Sequence, residues 1–94
     1  MSLEELRNTV ALVDREIIAL IARRQESARE IGVIKHREGL PIHDPGQREA
    51  VLERVLDTAV EQGIDPVAVQ RIFTILIGMS EETQREYTGE GNLP

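Results

Sequence analysis

The sequence predicts an all-α fold of three helices per chain, one long and two shorter, and three observations carry that expectation. Apolar residues recur at steps of three and four along residues 3–36, 44–63 and 65–87. The first stretch contains no Pro and, apart from Gly32, no Gly. An Asp-Pro pair, Asp44-Pro45 and then Asp65-Pro66, opens each of the other two.

In the first stretch the stripe runs Leu6, Val10, Val13, Ile17, Leu20, Ala28 and Ile31, which suits one long helix. Residues 37–43 read as a loop, because Gly39 and Pro41 both interrupt regular structure. Asp44, Pro45 and Gln47 then give an N-cap acid, a proline at the first helical position and a capping-box partner three residues after the cap. The helix they start carries Val51, Leu52, Val55, Leu56, Ala59 and Val60 on one face, and Gly63 suits the left-handed residue that closes it. The third helix carries Val69, Ile72, Phe73, Leu76 and Ile77 and continues through Ser80 and Gln84 to about Tyr87. Residues 1–88 read as one domain and residues 89–94 as a flexible, frayed tail.

A first helix spanning residues 3–36 would be about 50 Å long, whereas a compact chain of this size has a radius of gyration of about 12 Å. The helix must overhang its own globule. Its apolar stripe runs almost end to end, so the part that two shorter helices cannot cover needs a second chain, most simply a two-fold copy. The expected assembly is an intertwined homodimeric helical bundle.

Composition narrows the function. The 94 residues are 40% apolar and 30% charged, enough for one core. A formal net charge of −6, one Phe, one Tyr and no Trp offer neither attraction for phosphate backbones nor platforms for bases, so nucleic acid is not an expected partner. No Cys is present, which removes disulfides, thiolate nucleophiles and the usual structural zinc sites. No stretch has the length of a membrane span, and the first residues lack a basic region followed by an apolar run. A cytoplasmic protein is expected. His36 and His43 lack metal-ligand spacing and read as surface residues, and Ser2, Ser27 and Ser80 lack a nucleophile signature. Glu81-Glu82 reads as a solvated acidic face.

Polar residues interrupt the apolar stripes at four places. Continuing from Leu20 by steps of three and four reaches Arg24, then Ala28, Ile31 and Lys35. Arg24 and Lys35 are eleven residues apart, so they differ by about 20° around the helix axis and share one face. On the third helix the stripe reaches Ser80 and Gln84. One reading has the cations snorkelling to solvent or pairing with Glu, and the third stripe ending before Ser80. The other gathers the four residues around an enclosed site for a small polyanion, since buried cations need anionic partners. An enzyme built this way would work by orientation and fixed charge rather than by a covalent intermediate.

The run Leu6-Arg7, Val13-Asp14-Arg15-Glu16-Ile17-Ile18-Ala19-Leu20, Arg23-Arg24, Ile31-Gly32 and Lys35, with Pro41-Ile42-His43-Asp44 and Ser80-Glu81-Glu82-Thr83-Gln84, resembles the all-helical class of chorismate mutases. The likeness covers residues 3–84. It implies an intertwined dimer that rearranges chorismate, a dicarboxylate, to prephenate in aromatic amino-acid biosynthesis, with two equivalent pockets shared between the chains and no cofactor or metal. By this likeness Arg24 binds one carboxylate, and Arg7, reaching in from the other chain, binds the second. Lys35 and Gln84 donate to the ether oxygen, Asp44 helps hold the ring hydroxyl region, and Ser80 lines the carboxylate side.

Relatives commonly carry an Arg-Glu pair three and four residues after the Asp, where this chain has Gln47-Arg48. Counting from Arg48, positions plus three, four, seven and eight are Val51, Leu52, Val55 and Leu56, all apolar as in relatives, which counting from Glu49 does not give. Arg48 therefore takes the place of the hydroxyl-binding Glu and is expected in the pocket. Two alternatives share the pattern: an isochorismate-pyruvate lyase on the same fold, and a noncatalytic helical dimerisation module. A larger partner enzyme of the same pathway is also compatible with so small a mutase.

Overall fold

The computed structural model describes residues 1–87. The expected tail, residues 89–94, lies outside the described residues. Three α-helices follow in order, α1 (Leu3–Glu38), α2 (Pro45–Glu61) and α3 (Pro66–Tyr87), with no strand among the described residues.

Local chemistry sets each helix end. Ser2 caps α1, its Oγ accepting from the Glu5 N–H at 3.1 Å. Glu4 and Glu5 in the first turn, and Lys35, His36 and Arg37 in the last, complement the helix dipole. α1 runs two residues beyond the expected 36 because the stop is Gly39, which adopts φ 67 and lets the Leu40 N–H bond the Lys35 carbonyl at 2.8 Å. Asp44 caps α2 as expected, Oδ1 accepting from the Gln47 N–H at 3.1 Å. The reciprocal half of the capping box does not form, and the Gln47 side chain lines a cavity instead. Gly63 at φ 68 closes α2, and Asp65 Oδ1 accepts from the Val67 N–H at 3.0 Å at the start of α3.

α3 packs against both α1 and α2, which do not pack on one another. The core is thin. Val51 and Val55 of α2 meet Ile77 of α3, with Leu52, Val69 and Phe73 packed around them. On the other side, Ala28 and Gly32 of α1 are buried against α3. The α1–α3 seam also carries polar ties: Gln25 Nε2 donates to Thr83 Oγ1 at 2.9 Å, and Arg24 Nη1 donates to the Leu76 carbonyl at 3.1 Å.

The overhang is present. The molecule measures 54 × 28 × 17 Å with a radius of gyration of 16.6 Å, against about 12 Å for a compact chain of this length. All of the first twenty residues are exposed, including the stripe Leu6, Val10, Val13, Ile17 and Leu20, each at least 45% accessible. No helix is long and apolar enough to cross a membrane among the described residues.

The tightest contact between helices is at Gly32, where an added Cβ would lie 2.9 Å from both the Cα and the carbonyl oxygen of Gln84. These are backbone atoms, so the helices themselves would have to separate. Gly32→Ala should therefore cost about 1–3 kcal/mol of folding stability, read as a lowered urea midpoint with an unchanged slope.

Candidate active site

α1 and α2 diverge from their common neighbour α3 and leave a cavity of about 350 Å³ between the three helices. That is at the lower end of the size of small-molecule sites, about 300–1,000 Å³. α1 contributes Arg24 and Lys35; α2 and its cap contribute Asp44, Gln47, Arg48 and Arg54; α3 contributes Ser80, Glu81 and Gln84. Six of the seven sequence-derived candidates thus converge on one space. Arg7 does not. It is exposed on the overhang, seventeen residues before Arg24 and so about 25 Å away along α1.

Several of these polar groups are held by hydrogen bonds. The Arg24 guanidinium donates to the Leu76 carbonyl and lies 5.9 Å from the centroid of the Phe73 ring, a cation–π approach. Burial, followed by the like charge of Arg54, holds Arg24 below the usual arginine pKa. Lys35, half-buried, donates from Nζ to the Ile42 carbonyl at 2.8 Å, and this bond ties the α1–α2 loop to the cavity wall. Neither cation has a carboxylate within ion-pair distance among the described residues. Pairing with Glu within the chain is therefore absent for both among the described residues.

On α3 the apolar stripe does extend into polar residues that are covered. Gln84 is 5% exposed and donates from Nε2 to Ser80 Oγ at 3.0 Å, while its Oε1 is buried without a partner. A half-turn of the amide exchanges the two atoms. The Ser80 hydroxyl then donates to Oε1, and Nε2 becomes available as a donor. Arg48 is half-buried and lines the cavity, whereas Glu49 is exposed and does not, in agreement with the ungapped register.

Two cavity residues escape the sequence reading. Arg54 follows Gln47 and Val51 at steps of four and three, a helical face that could have revealed it. Glu81 corrects the expected solvated acidic face: its side chain is only 17% exposed, and it meets His43 Nδ1 at 3.2 Å and Arg85 at 3.8 Å while lining the cavity. Only Glu82 faces water, because it lies about 100° further around α3. Arg24, Lys35, Arg48 and Arg54 against Asp44 and Glu81 leave the cavity with a surplus of two positive charges in a chain of net −6. No three of His, Asp and Glu come together in metal-binding fashion among the described residues.

A cation-rich, acid-poor cavity between three helices is the setting in which the comparisons with known proteins fall. The family described as "Chorismate mutase type II" matches residues 6–85. This chain belongs to that family. A chorismate mutase of Methanocaldococcus jannaschii is 32% identical over 88 residues, covering 94% of this chain and 89% of the relative. The T-protein of Haemophilus influenzae is 29% identical over 86 residues, 92% of this chain but 23% of the relative. The bifunctional chorismate mutase/prephenate dehydratase of Escherichia coli strain K12 is 30% identical over 80 residues, 85% of this chain and 21% of the relative. The chorismate mutase type II match spans all three helices and every cavity residue named above.

A half-buried cation beside a like charge is tolerated here rather than stabilising. Arg24→Met, which keeps side-chain length and contact with Phe73 but removes the charge, should leave the denaturation midpoint unchanged or raised, measured in urea without ligand.

Proposed function

We propose that this cavity converts chorismate to prephenate by a Claisen rearrangement, and that Arg24, Lys35 and Gln84 carry the catalysis. The supporting observation is that Arg24 and Lys35, neither of them paired with an acid, share one cavity with Gln84 and Ser80. In the reaction one carbon–oxygen bond breaks and one carbon–carbon bond forms within a single molecule. No atom is gained or lost, and no side chain needs to exchange a proton.

The substrate is flexible and carries two carboxylates, so the first task is restraint. Arg24, anchored by the Leu76 carbonyl, grips one carboxylate and holds the enol-pyruvyl arm over the ring, which lowers the entropic part of the barrier. As the carbon–oxygen bond opens ahead of carbon–carbon closure, negative charge grows on the ether oxygen. The Lys35 ammonium has two N–H donors beyond the one given to Ile42, and one of them meets that charge. Gln84, with its amide turned onto Ser80, supplies the second donor. Both interactions strengthen on the way to the transition state, which is what accelerates the step. Asp44, Ser80 and Arg48 complete the walls around the ring.

The second carboxylate is assigned to Arg7 of a second copy. The exposed stripe on the first half of α1 supports an intertwined homodimer, since nothing among the described residues covers it and Arg7 lies on that same overhang. The pathway is read as cytoplasmic, and the fusion of a mutase with a prephenate dehydratase in relatives supports a larger enzyme of the same pathway as a further partner.

Incubation of the purified protein with chorismate, and separately with isochorismate, tests the assignment. Prephenate from chorismate is expected; pyruvate plus salicylate from isochorismate as the dominant reaction, or no turnover of either, would overturn it. Lys35→Ala should reduce kcat by about a hundredfold, equivalent to about 3 kcal/mol of transition-state stabilisation, with the circular dichroism spectrum unchanged. Mixing Arg7→Ala chains with Lys35→Ala chains should restore one intact site per heterodimer, seen as a rise in rate over either variant alone. A mixture no faster than its components would contradict a pocket shared between chains.

A further inference from the structure

The cavity holds one more guanidinium than the proposed chemistry has used. Arg54 stands on α2 and, with Arg48, flanks Val51, each of them one turn away and about 60° around the helix axis. It forms no ion pair among the described residues. Across the gap lies Arg24 of α1, which is likewise unpaired with any acid. The two are near enough for the charge on Arg54 to disfavour that on Arg24. Two unneutralised cations lining one small cavity are mutually unfavourable, and neither serves the core.

What would relieve the pair is an anion between them. α1 and α2 pack on α3 rather than on one another. Resting on the mutase reading, we infer that Arg54 is a substrate-binding residue that takes, from the α2 side, the same carboxylate that Arg24 takes from α1. The carboxylate has two oxygens and about four lone-pair directions, enough for both forks. The bound substrate then bridges α1 and α2 directly.

Arg54 is exposed and outside the core, so its removal spares the fold. Arg54→Ala should raise KM for chorismate by about 10- to 100-fold, as expected for loss of a charged hydrogen-bond pair, with kcat changed by less than about threefold. Arg54→Lys, which keeps charge but loses the planar fork, should recover part of that loss.

Thermal melting with and without the product, prephenate, separates binding from structure. Without prephenate, Arg54→Ala should melt at the parent temperature or slightly above it, since a repulsion has been removed. With prephenate, the upward shift of the parent protein should be largely lost. An unaltered KM together with an undiminished prephenate shift would overturn the inference while leaving the mutase reading intact, and so would a lowered melting temperature without ligand. Failure of the parent protein to convert chorismate would instead overturn the mutase reading itself.

Discussion

The shape of the cavity depends on how closely α1 lies on α3. Arg24, Ala28, Gly32 and Lys35 succeed one another along α1 at steps of four, four and three. The two small residues in the middle are the buried ones. With no side chain at Gly32, the helices meet at the backbone of Gln84, and this places Gln84 between the two cations that bracket it on α1. A larger residue there would part the same seam that carries, about two turns further towards the start of α1, the polar ties of Gln25 to Thr83 and Arg24 to Leu76. α2 is positioned only through α3, by Val51 and Val55 on Ile77, so the gap between α1 and α2 is a product of two separate packings rather than of direct contact.

Electrostatically the chain is divided against its own average. It is acidic overall, yet four of its eleven basic residues face one small space. Walls of low dielectric focus that charge, so the cavity presents a field that favours a small anion. Arg24 shows the cost, since burial and the neighbouring Arg54 both disfavour its charge while it holds the Leu76 carbonyl and the Phe73 ring. Strain of this kind, harmless to a fold held by other contacts, is typical of positions chosen for binding rather than for stability.

Features fixed by near neighbours could be read from the sequence. Asp44 and Pro45 start a helix by satisfying or lacking specific N–H groups, and Gly63 ends one by a backbone angle that other residues avoid; neither depends on the rest of the chain. The pairing of Arg24 with Lys35 was legible for the same reason, because a helix fixes their relative direction over eleven residues. Arg54 was not, since it lies on the flank of α2, and only the tertiary angle between α2 and α3 turns that flank inward. Glu81 was hidden by its neighbour Glu82, a pair that looks like a wet face until His43, from a loop thirty-eight residues earlier, is seen to cover one member. The closeness at Gly32 likewise exists only once two helices meet.

Lys35 is the only lysine in the chain, and its ammonium sits in the cavity wall, bonded to the loop that follows α1. Apart from the amino terminus, then, amine-directed reagents have a single side-chain address on this molecule, and that address lies in the cavity wall. Acylation there would report occupancy of the cavity, a bound ligand shielding the one side-chain amine, and attachment of the chain through its carboxylates leaves that nitrogen untouched.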